Sequence, residues 1–249
     1  MKIIFPELNT NPYAKEAVKN FDDIEFLPAD SLDQAVEMLK SGQADSLISG
    51  IDYSTRDVIL ALKNQIPLES HHFSSCFICQ KDDQILAIAD GGIIKRPTRE
   101  QLYTIIEDTA KTYQTFTNNQ PKIALLSYST NGSGAKNASE FQDYYDCIHE
   151  IKNTHPDWLI DGEIQLDAAI SPRIAEKKTP NSSLKGQANI LITPDLNSGN
   201  ILYKSLEQFG GFTIAGPIIQ GFQTPLADLS RGSTIEDIIL TINVIRSKL

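Results

Sequence analysis

A serine, an arginine and an aspartate lie within eight residues near the end of the chain: Ser230, Arg231 and Asp237, in the string PLADLSRGSTIEDI. A guanidinium stabilises a phosphate or a developing oxyanion, and a carboxylate can accept a proton. A hydroxyl can hydrogen-bond a thiol or its sulfur. Together, at the start of a helix, these groups could handle a phosphate, a thiol and a proton, so they are the candidate catalytic residues.

The local sequence also allows a structural role for Asp237. Thr234 and Asp237 are three residues apart and fit an acidic variant of the capping box. Ser233 and Glu236 fit the usual pattern one residue earlier. The local sequence therefore leaves two interpretations of Asp237 open, a helix cap and a proton acceptor.

A second candidate site is the glycine-rich string SYSTNGSGAK, which follows the apolar run KIALL and precedes a predicted helix. Backbone N–H groups and hydroxyls at such a turn can hold an anion. An ordinary strand-to-helix turn is the alternative. The string is not a Walker A loop, because the glycine spacing differs and Lys136 is not followed by serine or threonine. The candidate binding residues are Ser129, Thr130, Gly132 and Ser133.

The composition restricts the classes of partner. The net charge is −10 and 41% of the 249 residues are hydrophobic, which predicts a globular protein that repels nucleic acid and anionic membranes. No apolar run approaches the roughly 20 residues of a membrane span, and the start MKIIFPEL lacks the order of a signal peptide. We expect a cytoplasmic protein with no nucleic-acid or membrane partner.

The cysteines do not indicate metal or redox chemistry. Cys76 and Cys79 form a C-x-x-C within FSSCFICQ, which is predicted to be a strand. Side chains three apart on a strand point to opposite faces, and the chain has no second cysteine pair. We therefore expect buried thiols, no metal site and no cofactor.

Apolar runs with strand character alternate with amphipathic helical patterns along the chain. Predicted strands include KIIF, IEFLP, ADSLISG, KIALLSYS, WLIDGEIQ, NILITPD and TIAGPIIQ. Predicted helices include a long one that follows a cap at Thr98, a single helix in DAAISPRIAEKK and the C-terminal TIEDIILTINVIRSKL. This alternation predicts an α/β fold with a parallel sheet covered by helices.

From Lys122 onward, the order of motifs resembles that of the phosphate acetyltransferases. The similar segments are ALLSYSTNGSG, DGEIQLDAAISPRIAEKK, ANILITPDLNSGNILYK, GPIIQG and LADLSRG, and before them GQADSLISGIDYSTRDVILALK resembles a further family segment. The resemblance implies two α/β domains of the isocitrate/isopropylmalate-dehydrogenase-like kind with a cleft between them. The expected domains are residues 1–72 plus 226–249, shortened, and residues 73–225.

The resemblance also implies a reaction and a set of site residues. The reaction would convert acetyl-CoA and phosphate into acetyl phosphate and CoA, with Asp237 as the base for the CoA thiol and with Arg231 and Ser230 stabilising the reacting groups. No cofactor beyond the substrates is implied, and a homodimer is expected. The implied substrate-binding residues are Ser54, Thr55, Ser129, Thr130, Gly132, Ser133, Asn200, Lys204 and Gln220. Arg56 is added to them because it shares a helix face with position 60 and could reach the same anion.

Two departures from the family pattern leave a second function open. Leu60 stands where the resemblance places an arginine, and Arg56 lies one helical turn away. The interval from IIFPE to GIDYST is also shorter than in the family, which predicts a member with a reduced N-terminal region. The alternative to an active acyltransferase is a non-catalytic paralogue that binds CoA or acyl phosphate for regulation.

Overall fold

The computed structural model describes residues 1–63, 65–133 and 139–249. The described residues form the strands β1 (Lys2–Ile4), β2 (Glu25–Leu27), β3 (Ser46–Ser49), β4 (Ser74–Lys81), β5 (Gln84–Ala89), β6 (Lys122–Leu126), β7 (Leu159–Ile164), β8 (Ile190–Ile192), β9 (Thr213–Gln220) and β10 (Leu226–Asp228). The α-helices are α1 (Pro12–Ala17), α2 (Leu32–Lys40), α3 (Thr55–Leu62), α4 (Arg99–Thr117), α5 (Gln142–Thr154), α6 (Leu166–Ile170), α7 (Pro172–Lys178), α8 (Leu196–Gln208) and α9 (Ile235–Ser247).

The strands form one sheet in the order β2-β1-β3-β10-β9-β4-β5-β8-β6-β7. The outer strands pair in parallel on both sides, whereas β10–β9, β9–β4 and β4–β5 are antiparallel. The fold class is α/β, as predicted. The expectation of a parallel sheet holds for the two outer groups of strands and is wrong for the middle of the sheet.

The three antiparallel pairings give the two outer groups opposite directions. Ala227 of β10 pairs with Ile218 of β9, and Ala89 of β5 pairs with Cys76 of β4, which itself pairs with Ile218. The carboxyl ends of β10 and β5 therefore approach one another from opposite sides, over the middle of the long strands β4 and β9. The loops that leave these ends form the walls of a cleft.

Both faces of the sheet are packed. Along β4, Cys76 and Ile78 belong to a buried cluster with residues of α4 and α9, while Phe77 and Cys79 belong to another cluster with Tyr203 of α8. The two cysteines thus lie on opposite faces and are free thiols, as predicted. Burial raises the pKa of Cys76 to about 12, so this thiol stays protonated at neutral pH.

Several local features follow directly from the sequence. Thr98 caps α4, as predicted, and it also forms a complete capping box with Gln101. The helix predicted over DAAISPRIAEKK is divided into α6 and α7, because Pro172 lacks the N–H that would continue the first helix. The helix predicted to follow SYSTNGSGAK is α5, which begins at Gln142. Its predicted start lies further toward the N-terminus and partly outside the described residues.

The sheet continues across both predicted domain boundaries, and the division into residues 1–72 plus 226–249 and residues 73–225 stays a prediction. In the part of the chain that the structure describes, no helix has both the length and the apolar composition that crossing a membrane requires.

Candidate functional site

A cleft of about 360 Å³ lies where the two groups of strands meet. The loops after β3 and β10 form one wall, and the loop after β5 and helix α8 form the other. Five residues predicted from the sequence line it: Thr55, Asn200, Lys204, Ser230 and Arg231. The other described lining residues are Gly50, Tyr53, Phe77, Gly91, Gly92, Leu196, Asn197, Ile201, Tyr203, Pro217 and Leu229.

The first wall depends on a glycine at the end of β3. Gly50 has φ of +114°, and a Cβ atom there would lie 2.3 Å from Oδ1 of Asp228. Only glycine allows this conformation together with so close an approach. The Gly50 N–H donates to Oε1 of Glu7 at 2.7 Å, and the Ser49 hydroxyl donates to the same oxygen at 2.9 Å. Glu7 therefore fixes the loop that carries Thr55.

The loop after β10 presents Ser230 and Arg231 to the cleft. It is joined to β3 by the Leu229 N–H, which donates to the Ser49 carbonyl at 2.5 Å. The Gly232 N–H donates to Oγ of Ser230 at 3.3 Å. Arg231 is exposed and forms no ion pair with any described residue. Its guanidinium is therefore available to an anionic ligand.

Asp237 lies behind this loop and is not among the described residues that line the cleft. Its side chain is 4% exposed. Oδ1 accepts the Ile214 N–H at 2.7 Å, and Oδ2 accepts the Thr234 N–H and hydroxyl, each at 2.8 Å. Asp237 thus completes the capping box of α9. Its role as a base stays a prediction.

The second wall contains features that the sequence analysis missed. The Asp90 carboxylate accepts the N–H groups of Gly92, Ile93 and Ile94 at 2.9 to 3.0 Å, which shapes the turn after β5. The Asn200 side chain donates to the Gly91 carbonyl at 3.2 Å and so joins α8 to this turn. The signal was the string DGG directly after the apolar run ILAIA.

An aromatic stack forms part of the floor of the cleft. The rings of Phe77 and Tyr203 are stacked with their centroids 3.8 Å apart. Both residues line the cleft and both are nearly fully buried. The floor is therefore apolar, in contrast to the cationic groups of Arg231 and Lys204 at the walls.

The described part of the glycine-rich loop is bound to β7 rather than turned toward the cleft. The Ser129 hydroxyl donates to Oε1 of Glu163 at 2.9 Å, and the Gly132 N–H donates to the same oxygen. The Gln165 N–H donates to the Thr130 hydroxyl at 2.9 Å. None of Ser129, Thr130, Gly132 and Ser133 is among the described lining residues, and residues 134–138, including Lys136, lie outside the described part.

Glu163 is the centre of this arrangement. Burial alone would raise its pKa, but hydrogen bonds donated by Tyr145, Gly132 and Ser129 hold the pKa of Glu163 below its usual value. The carboxylate is therefore ionised at neutral pH and anchors the loop. Substrate binding by the loop stays a prediction.

Three further predicted residues lie outside the cleft lining. Ser54 is the N-cap of α3, and its hydroxyl donates to Asp57 at 2.6 Å. Arg56 is exposed on α3. Gln220 is buried and donates to the Thr112 hydroxyl at 2.9 Å, in the wall of another cavity beside α4. Their roles in substrate binding stay predictions.

A neighbouring cavity of about 620 Å³ extends the site. It shares Leu196 and Asn197 with the cleft and adds Lys95 and Arg96, both of which are exposed. These two cations follow directly after the turn at Asp90. The sequence analysis did not single them out, although two adjacent basic residues in GGIIKRP were visible. The continuous region can contact more than one anionic group.

Known proteins are similar to this chain over nearly its full length. A sequence model of the phosphate acetyl/butaryl transferases matches residues 4–245. The phosphate acetyltransferase of Treponema pallidum is 38% identical over an alignment of 220 positions that covers 84% of this chain and 65% of that protein. The phosphate acetyltransferase of Corynebacterium glutamicum is 34% identical, over 94% of this chain and 74% of that protein.

Two solved structures have folds similar to that of this chain. A phosphotransacetylase from Streptococcus pyogenes has a TM-score of 0.86 at 28% identity, and the comparison covers 100% of this chain and 93% of the other. A branched-chain phosphotransacylase from Enterococcus faecalis has a TM-score of 0.85 at 20% identity, covering 100% and 98%. The second likeness concerns the fold alone.

Proposed function

Because the chain belongs to the phosphate acetyl/butaryl transferase family, we propose that it transfers a short acyl group between coenzyme A and phosphate. The reaction is acetyl-CoA plus phosphate giving acetyl phosphate plus CoA. The observation that carries this proposal is the position of Arg231, which adjoins Ser230 in the cleft where the two groups of strands meet and forms no ion pair with any described residue.

Arg231 neutralises the phosphate and the oxyanion that develops on the acetyl carbonyl. A fixed guanidinium can donate two hydrogen bonds to such oxygens, and this stabilises the transition state more than the ground state. Lys204, on the opposite wall, adds a second positive charge. The Ser230 hydroxyl hydrogen-bonds the sulfur as the C–S bond breaks or forms.

Coenzyme A occupies the cleft and the neighbouring cavity. Its phosphates meet Lys95 and Arg96, because these exposed cations lie beside the part of α8 that both cavities share. The acetyl thioester then reaches the cleft past Asn197 and Asn200. This arrangement brings a large anionic substrate to a protein whose net charge is −10, by local positive charge.

Asp237 is the proposed base for the CoA thiol, whose pKa of about 8.5 leaves it mostly protonated at neutral pH. In the present arrangement its oxygens accept three hydrogen bonds. A base role requires the Thr234 cap to open when CoA binds. The proposal for Asp237 therefore includes a movement of the loop between Ser230 and Thr234.

A non-catalytic paralogue that binds CoA or acyl phosphate is the second candidate. Only Arg231 and Lys204 are cationic among the described residues that line the cleft. Leu60, at the position where the family pattern has an arginine, is an uncharged side chain that is 58% exposed on α3. Both observations reduce the positive charge available to hold phosphate. We also propose a cytoplasmic homodimer. Phe209, directly after α8, is an apolar side chain that is 91% exposed and suits a subunit interface. Sedimentation analysis of the purified chain measures its oligomeric state.

The activity is tested by measuring CoA release from acetyl-CoA with and without phosphate. We expect release that requires phosphate and saturates with it. If CoA binds in a titration but no phosphate-dependent release occurs at any phosphate concentration, the chain is the non-catalytic paralogue.

A further inference from the structure

Asp228, the last residue of β10, has an unusual environment for a carboxylate. It is 1% exposed, and neither of its side-chain oxygens has a hydrogen-bond partner among the described residues. Buried carboxylates normally accept several hydrogen bonds or pair with a cation, because an isolated buried charge is costly. No described cation forms an ion pair with Asp228. Packing alone does not account for such a residue.

The carboxylate lies directly behind the wall of the cleft. Its Oδ1 occupies the space that a side chain on Gly50 would fill, since a Cβ there would lie 2.3 Å away. Gly50 lines the cleft, and so do Leu229 and Ser230, the two residues that follow Asp228. The carboxylate and the ligand space therefore adjoin the same glycine.

Thr55 connects Asp228 with the cleft. Its hydroxyl lies close enough to the carboxylate to lower the pKa of Asp228 in part, although the pair does not meet the distance and angle of a hydrogen bond. Thr55 is exposed and lines the cleft. Thr55 therefore lies next to both the buried carboxylate and the ligand space.

A second buried carboxyl group adjoins the first. Glu7 is 2% exposed, with Oε1 bound by Ser49 and Gly50 and with Oε2 unpartnered. Burial raises the pKa of Glu7, and burial together with the charge of Glu7 raises the pKa of Asp228 to about 6. The other ionisable groups here are Asp52 and Tyr53, on the loop before α3, and Arg231 on the loop after β10.

These contacts imply which group accepts the hydrogen of the Thr55 hydroxyl. When Asp228 is ionised it requires a donor, and Thr55 is the neighbouring side chain that can supply one. If Thr55 donates its hydrogen to Asp228, only oxygen lone pairs remain for the ligand. A ligand group that meets Thr55 must then carry a hydrogen of its own.

We propose that Asp228, acting through the Thr55 hydroxyl, accepts the proton that inorganic phosphate loses when it becomes an acyl phosphate. The inference rests on the proposed function and adds the phosphate side of the reaction to it. Thr55 contacts the substrate, and Asp228 accepts the proton through Thr55 without contacting the substrate itself.

In the direction of acyl phosphate formation, phosphate is the nucleophile and CoA is the leaving group. An oxygen of hydrogen phosphate forms a bond to the acetyl carbon, the C–S bond breaks, and CoA leaves with the electron pair as a thiolate. The phosphate O–H proton passes to Oγ1 of Thr55 as the Thr55 proton passes to Asp228. Asp228 returns its proton to solvent before the next turnover, and the thiolate is protonated by Asp237, the group proposed above to exchange the thiol proton.

The first test needs no turnover. The protonation of Asp228 is followed by carbon NMR of labelled aspartate carboxyl groups, assigned with Asp228→Asn. We expect a midpoint near pH 6 that rises in Thr55→Val, because the donor is lost, and falls in Glu7→Gln, because a neighbouring charge is lost. Thr55→Ser should keep the wild-type midpoint. An Asp228 midpoint unchanged by Thr55→Val overturns the coupling, and the proposal with it.

The second test is the pH dependence of phosphate-dependent CoA release. We expect Asp228→Asn and Thr55→Val each to lower kcat by about a hundredfold, with little further loss in the double variant, while Thr55→Ser stays active. The acidic limb of kcat/KM near pH 6 should move to lower pH in Glu7→Gln. If Glu7→Gln leaves the limb in place, or Asp228→Asn stays within threefold of wild type, the proposal fails. If the wild type releases no CoA, the proposed function fails instead, whatever the NMR midpoints show.

Discussion

Two loops of this chain have the composition of an anion-binding site, and of their described residues only those of one loop line the cleft. The loop after β10 places Ser230 and Arg231 in the cleft wall, whereas the described residues of the loop after β6 are bound to Glu163. Both follow a buried apolar strand. The difference is the position of that strand in the sheet.

Strand order explains the difference. β10 adjoins β9, and its carboxyl end meets that of β5 over the middle of β4 and β9. β6 is separated from β5 by β8, which places its loop about 10 Å further along the sheet edge, at roughly 4.8 Å per strand. A high content of glycine and serine thus indicates a turn. The position of the preceding strand in the sheet decides whether that turn lies at the cleft.

The largest expected effect is that of Arg231→Ala. Loss of this preorganised donor should cost about 3 kcal/mol in transition-state stabilisation, or more than a hundredfold in kcat/KM for phosphate. Arg173→Ala, at an exposed arginine of α7, is the matched control and should stay near the wild-type rate. A loss of tenfold or less for Arg231→Ala would mean that the arginine is only structural.

Asp237→Ala should lower stability by about 2 to 3 kcal/mol, because the Ile214 N–H loses its buried acceptor and α9 loses its cap. Denaturant unfolding measures this effect. Asp237→Asn keeps an acceptor for Ile214 and separates the two roles: a base role predicts a large loss of kcat in a protein of near-normal stability. Full kcat in Asp237→Asn would leave Asp237 as a cap alone.

Asp228→Asn should stabilise the protein by about 3 kcal/mol at pH 7, because each unit by which the pKa is raised corresponds to about 1.4 kcal/mol. Burial raises the pKa of Asp228 to about 6, so the wild type loses stability as the pH rises from the ordinary aspartate value through pH 6, while the asparagine does not titrate. The difference should vanish below about pH 4. Unfolding curves at both pH values measure it, and a variant less stable than wild type at pH 7 would show that the carboxylate has a stabilising partner.

The smallest effect on turnover is expected for Ser129→Ala. Its hydroxyl contacts Glu163, so we expect a stability loss of about 1 kcal/mol and a kcat/KM within threefold of wild type. Ser230→Ala, at the corresponding position of the other loop, is the comparison. A loss for Ser129→Ala as large as that for Ser230→Ala would remove the distinction between the two loops.

Part of the fold and part of the candidate site could be predicted from the sequence. The string LSRG identified Ser230 and Arg231, and alternation along FSSCFICQ placed Cys76 and Cys79 on opposite faces. The strands Gln84–Ala89 and Leu226–Asp228 were not predicted, although their pairings reverse the direction of the sheet. The environments of Asp228 and Asp90 were also not predictable, because they depend on contacts with β3 and β4 that are distant in sequence.

The most direct test of the central claim is a crystal structure of the chain with CoA and phosphate bound. The account predicts phosphate in the cleft within hydrogen-bond distance of the Arg231 guanidinium, with the Thr55 hydroxyl on the same ion and the CoA phosphates beside Lys95 and Arg96. Phosphate held by the loop of Ser129 to Ser133, with Arg231 turned to solvent, would contradict it.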